Sequence, residues 1–307
     1  MVTRRLFIPA LSAGLLQAAK TPEVSRRILR IPFWIGEGAT LVQAPVAKVN
    51  GGPAKVLQVL DSAGDLMVLL ILDLAGDLAQ VEPAREALIT NVQSLQENAW
   101  IGLMRSQDGL TALLDPTAER APVVDRIREL SISGRAGLLD TVETALGLAD
   151  KIAAKSRVRL AVLYVSDSDI RNYRDDYTNP VINHSDAGDM SRRFPEGIVK
   201  EKIARLLARV STYESPLFIV HLDYRSDTLN NAYQTGLLEL ANTTGGSAAF
   251  CRSNAEIPEA ISAMFQTVAS HRVAIIQPAT GLRNQADIEL EAEGRELKYR
   301  TRLQLRR

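Results

Sequence analysis

Residues 66–77, Leu-Met-Val-Leu-Leu-Ile-Leu-Asp-Leu-Ala-Gly-Asp, decide the fold. An unbroken apolar run up to Asp73 shows no polar alternation, so it predicts a strand buried on both faces at the centre of a parallel sheet. Asp73 then stands at the carboxyl end of that strand, the rim where open α/β sheets bind ligands. A helix is expected at once over residues 80–96, because Val81, Ala84, Leu88, Val92 and Leu95 fall on one helical face.

Outward from this unit the period keeps switching. Strands are expected over 99–104 and 110–114, joined by a loop so short that the second must be an antiparallel edge. Helices over 123–130 and 138–152 lead to a strand over 159–165 that ends at Ser166-Asp167-Ser168-Asp169. A polar stretch, 170–194, follows, and a loop of that length inside a domain is usually functional. Helices over 195–213, 228–242 and 257–268 then alternate with strands over 217–222 and 247–251. The fold class is therefore α/β: a doubly wound, mostly parallel, six-stranded sheet of Rossmann-like order, with β-rich additions at both ends.

Those additions read differently. Residues 39–49 and 54–60 are β-prone and flank Asn50-Gly51-Gly52-Pro53, a hairpin signal. In the tail, Ala286, Ile288, Leu290 and Ala292 alternate with acids, and Leu297, Tyr299, Thr301, Leu303 and Leu305 with bases. A simple hairpin is expected, opposing Asp287, Glu289 and Glu291 to Lys298, Arg300 and Arg302. The organisation expected is a signal peptide over 1–19, a β-rich lead-in over 20–65, the α/β domain over 66–272 and β-strands over 273–307.

Composition sets limits. The chain has 307 residues and zero formal net charge, from 36 basic and 36 acidic side chains, which gives no case for a nucleic-acid partner. Arg4 and Arg5 precede an apolar stretch ending in small residues, the pattern of a cleaved export signal by the twin-arginine or the general secretion route. The protein is thus expected to be periplasmic or extracellular, with no transmembrane segment once the signal is removed. Cys251 is the only cysteine, so no intrachain disulfide forms, and burial as a small apolar residue is expected of it. His184, His221 and His271 lie far apart with no ligand spacing, and no nucleophile elbow or phosphate-binding glycine pattern occurs.

The order of strand, acidic loop, helix, two edge strands, helix and a strand ending in Asp resembles the von Willebrand factor type A fold. Over nearly the whole chain, Ala47-Lys48-Val49-Asn50-Gly51-Gly52-Pro53, Leu238-x-x-Leu-Ala241-x-x-Thr244-Gly245-Gly246 and Ala274-Ile275-Ile276-Gln277-Pro278 resemble the exported bacterial proteins called acidobacterial VWFA-related. The resemblance implies a metal-ion-dependent adhesion site, MIDAS, built from Asp-x-Ser-x-Ser, a Thr and a further Asp, a ligand set suited to magnesium or calcium. Here Asp73 and Asp167 match the two Asp positions, while Ala75 and Asp77 replace the serines and Ala136 replaces the Thr. It implies a degenerate site of Asp73, Asp77, Arg135 and Asp167, without metal or cofactor, in a non-enzymatic module that binds a protein partner. Tyr173, Arg174 and Tyr177 in the polar stretch are expected to contact that partner, since tyrosine and arginine anchor interfaces. Two alternatives remain: a hydrolase using a divalent metal on Asp73, Asp77 and Asp167, or a structural scaffold subunit.

The export signal is directly testable. The mature protein should begin near Lys20 outside the cytoplasm, and replacing Arg4 and Arg5 together by lysine should block twin-arginine export; unchanged secretion of that variant would assign the general route.

Overall fold

A computed structural model describes residues 27–36, 41, 43–74, 76, 78–132, 134–170 and 196–305. It begins with β1 (Leu29–Ile35), β2 (Val46–Val49) and β3 (Gly52–Leu60). Asn50 and Gly51 join the last two at φ of 52° and 72°, the left-handed pair a two-residue hairpin needs. The α/β part runs through β4 (Leu66–Asp73), α1 (Leu78–Ser94), β5 (Ala99–Arg105), β6 (Thr111–Thr117), α2 (Arg120–Arg128), α3 (Leu138–Ala153) and β7 (Arg159–Ser166). It continues with α4 (Glu196–Val210), β8 (Leu217–His221), α5 (Thr228–Thr244), β9 (Ser247–Phe250) and α6 (Ile257–Ser270). The tail holds β10 (Arg272–Pro278), β11 (Gln285–Glu291), β12 (Leu297–Tyr299) and β13 (Arg302–Gln304). Among the described residues no helix is long and apolar enough to cross a membrane.

The central sheet has the order β6-β5-β4-β7-β8-β9. Five strands are parallel and β6 pairs antiparallel with β5, so the sheet is mixed and Rossmann-like in strand order only. Winding reverses between β4 and β7. Alternate residues of β4 serve two cores: Val68, Leu70 and Leu72 pack with α1, α2 and α6, and Leu69 and Ile71 with α3, α4 and α5. The paired glycines after α5 have a physical cause. Gly245, at φ 86°, caps the helix through its N–H to Asn242, and a side chain on Gly246 would collide with the Leu217 carbonyl.

The lead-in and the tail form one sheet, in the order β12-β1-β10-β3-β2-β11-β13, with every pairing antiparallel. Its two ends, β12 and β13, are separated in the chain only by Arg300 and Thr301, so the sheet closes on itself around Ile31, Phe33, Val49, Ile276, Ile288 and Leu303. Closure corrects the simple hairpin expected of the tail. Arg302 does pair with Asp287 at 3.0 Å, but Glu289 and Glu291 pair with Lys48 of β2 at 3.8 and 2.9 Å. Lys298 sits opposite Trp34 of β1, and Arg300 is buried. The return segment must reach β1 to close the barrel, so only its second half stays beside β11.

The barrel sits under the amino ends of the parallel strands, opposite the rim of Asp73. Three arginines fasten it by donating to backbone carbonyls: Arg30 to Val158 at 2.6 Å, Arg300 to Tyr213 and Ser211, and Arg159 to residues on both linkers. Glu214 stands in this junction, accepting from the Arg30 backbone N–H at 3.1 Å, while its own N–H donates to Asp150. Burial and then the Asp150 charge push the Glu214 carboxyl up to about 7. The folded state therefore keeps a proton that the unfolded state releases, and this contribution to stability falls as pH rises from roughly 4.5 to 7. Denaturant titrations of Glu214→Gln should lack that fall, the gap from wild type reaching roughly 3 kcal/mol at most by pH 8; a pH-independent gap would show that Glu214 keeps an ordinary carboxyl.

Candidate functional site

Register alone brings the two strand-end acids together. β4 and β7 pair in parallel with Asp73 opposite Ser166, and the Asp167 N–H donates to the Asp73 carbonyl at 3.2 Å. Asp73 is fully buried. Its Oδ1 accepts from Ser106 Oγ at 2.5 Å and from the Gly137 N–H at 2.8 Å. Its Oδ2 accepts from Ser166 Oγ at 2.8 Å and from the Leu138 N–H at 3.3 Å. Four donors thus fill the carboxylate. Two of them are free N–H groups at the start of α3, whose N-cap, Gly137, has no side chain to serve them. Asp73 is a cap supplied from another strand, and its charge faces the positive end of the α3 dipole.

A chain of hydroxyls continues inward. Ser166 Oγ lies 2.6 Å from Ser168 Oγ, which lies 2.7 Å from the Tyr233 hydroxyl on α5. Because Ser166 gives its proton to Asp73, it accepts from Ser168, and Ser168 accepts from Tyr233. His221 Nε2 donates to the Ser168 carbonyl at 2.6 Å, leaving Nδ1 as a buried acceptor without a partner. Burial lowers the His221 pKa, which keeps the ring neutral. Nothing in the motif Asp-x-Ser-x-Ser pointed to Ser106, Ser166, Ser168 or Tyr233; the run Ser166-Asp167-Ser168 after a buried strand was the available signal.

Asp167 has a second role. One of its carboxylate oxygens accepts from the Gly76 N–H at 2.6 Å, and a Cβ on Gly76 would stand 2.7 Å from that oxygen. Glycine is needed there for close approach of the loop after β4. Arg135 is an exposed residue two positions before Gly137, and its backbone docks on Asp108 through N–H to carboxylate at 3.1 Å and carbonyl to N–H at 3.0 Å. Beyond β7, Arg225 bridges Asp223 at 2.6 Å and Asp169 at 3.2 Å, an acid pair the sequence did not flag. Asp77, Tyr173, Arg174 and Tyr177 lie outside the described residues. Two hollows of about 550 and 580 Å³ open at the barrel junction and a third of about 700 Å³ lies between α1 and α6, none of them lined by Asp73.

Substituting Asp73 tests the cap. Asp73→Asn sets its amide NH₂ against one of the two backbone N–H groups, Gly137 or Leu138, which can only donate, so a urea melt should show a loss of about 2–3 kcal/mol. A loss under about 0.5 kcal/mol would mean that these hydrogen bonds do not hold α3.

No protein-family model matches the chain, and no curated protein does. Solved structures are similar at low identity. A von Willebrand factor type A protein from Catenulispora acidiphila is 11% identical over 91% of this chain and 74% of that one, with a TM-score of 0.44. The vWF domain of the type V pili tip protein Mfa5 from Porphyromonas gingivalis is 16% identical over 69% and 96%, with a TM-score of 0.43. An aerotolerance-related membrane protein from Bacteroides fragilis is 13% identical over 66% and 99%, with a TM-score of 0.40. These are likenesses of fold only. By its own strand order and reversal point, the α/β part of the chain is von Willebrand factor A-like.

Proposed function

We propose that the chain is an exported, non-enzymatic protein-binding module whose adhesion-type crevice works without a metal ion. The observation that supports this is the saturation of Asp73. A carboxylate offers about four lone-pair directions, and Ser106, Gly137, Leu138 and Ser166 occupy them. A magnesium or calcium ion would have to displace donors that cap α3. Ala136, buried at 1% exposure, adds no oxygen where the resemblance puts a hydroxyl ligand. The described crevice hydroxyls are spent on one another and on Asp73, whose oxygens are already filled, which favours binding over catalysis. Partner contacts then fall to the rim: Asp167, Arg135 and Asp77, with Tyr173, Arg174 and Tyr177 of the polar insert as anchors.

Thermal melts test the metal-free reading. Millimolar magnesium or calcium should leave Tm unchanged, whereas an ion at about a hundred times its Kd would add roughly 2.7 kcal/mol. A rise that vanishes in Asp77→Ala would overturn the metal-free reading and revive a carboxylate metal site. For the partner surface, replacing Tyr173 and Tyr177 by alanine should weaken capture of the native partner and leave Tm nearly unaltered; equal capture would place the contact elsewhere.

A further inference from the structure

An open sheet edge is a row of unpaired backbone groups that invites another strand, and proteins normally blunt it. This molecule does so almost everywhere. In the barrel sheet the two end strands, β12 and β13, meet in one stretch of chain and are only three residues each. The β6 edge carries Asp115 and Pro116 and breaks register twice against β5. Among the described residues the remaining edge, β9, has none of these devices: Ser247-Ala248-Ala249-Phe250 is uncharged, free of proline, and in unbroken register with β8. All four of its residues are half-buried, whereas every residue of β7 and β8 is buried.

The backbone on this edge can be assigned. The Cys251 N–H donates to the His221 carbonyl of β8 at 2.8 Å. In a parallel ladder alternate residues turn both their N–H and C=O to the same side, so Ala249 faces β8 and Ala248 and Phe250 face outward. At the amino end of β9 the edge runs into a hollow of about 580 Å³ lined by Gly246, Ser247, Gln266, Thr267, Trp34 and Lys298. None of the described carboxylates pairs with the Lys298 ammonium.

We propose that β9 is a second docking edge, which accepts an extended segment of a protein partner as a seventh strand, with an acidic residue of that segment at Lys298. Main-chain hydrogen bonds to Ala248 and Phe250 supply the attachment, and Lys298 sets which end of the segment lies against the barrel. This surface is separate from the Asp73 crevice, and either can fail without the other.

The probe is acetyl-Glu-Thr-Val-Thr-Val-Thr-amide added to the full chain, read by residue-resolved amide exchange. In the free protein Ala248 and Phe250 should exchange quickly and Ala249 slowly. Saturating peptide should slow Ala248 and Phe250 roughly tenfold and leave the amides around Asp73 unchanged. The same peptide with its valines replaced by proline should give no protection. Lys298→Glu, a substitution at an exposed position, should weaken the acidic peptide and favour one that begins with lysine. Slow exchange of Ala248 and Phe250 in the free chain overturns the proposal. So does protection that appears with protein concentration alone, which would make a second copy the occupant, or equal protection by the proline peptide.

Discussion

Everything in this molecule hangs on one buried guanidinium. Arg159 opens β7 with no exposure, and gives two hydrogen bonds to Ser62 and Gly64 on the way into the α/β part and two to Ala269 and His271 on the way out. The barrel is made of segments from both ends of the chain, so the two linkers must cross the base of the sheet side by side. Their carbonyls would otherwise be buried without donors. A planar fork with five N–H groups can reach four carbonyls at once, which a lysine ammonium with three donors cannot. Burial lowers the Arg159 pKa to about 10, so the charge persists at neutral pH. His271, next to it, is held neutral by burial and pushed down to about 3, which keeps a second positive charge from the same spot.

The α/β core was legible because its elements are long and their periods unambiguous. The run ending at Asp73 became β4 with its predicted bounds, and the Val81, Ala84, Leu88 and Val92 face of α1 is buried as its spacing required. Edge strand β6 was recognisable from a loop too short for a crossover. By contrast, β1 was missed: Leu29–Ile35 carries Pro32 in its middle and lacks alternation, and it becomes a strand only because β10 and β12 pair with it. The tail misled for a related reason. Local alternation identified strands, but their partners were set by closure, which no local pattern encodes.

The candidate site shows the same division. The resemblance implied that Asp73 and Asp167 share one rim, and the parallel pairing of β4 with β7 puts them there. What they do there depends on four further groups. The hydroxyls of Ser106 and Ser166, the α3 N-terminus and Gly76 are each ordinary in sequence, and only in space do they convert two acids into a cap and a loop anchor. The polar groups on the floor of this crevice are thus already engaged with one another.

Barrel closure also dictates an order of events during synthesis. Phe33, Trp34 and Ile35 of β1 find their partners Tyr299, Lys298 and Leu297 only after nearly the whole chain has emerged. The α/β part has its own two cores and can form earlier, while β1, β2 and β3 wait with exposed pairing groups. Such contacts of extreme sequence separation are slow to form, and the waiting strands are the species most exposed to intermolecular pairing. The last few residues therefore act as a fastener for the first strands, and the yield of folded protein should be governed by how quickly residues 297–304 are delivered.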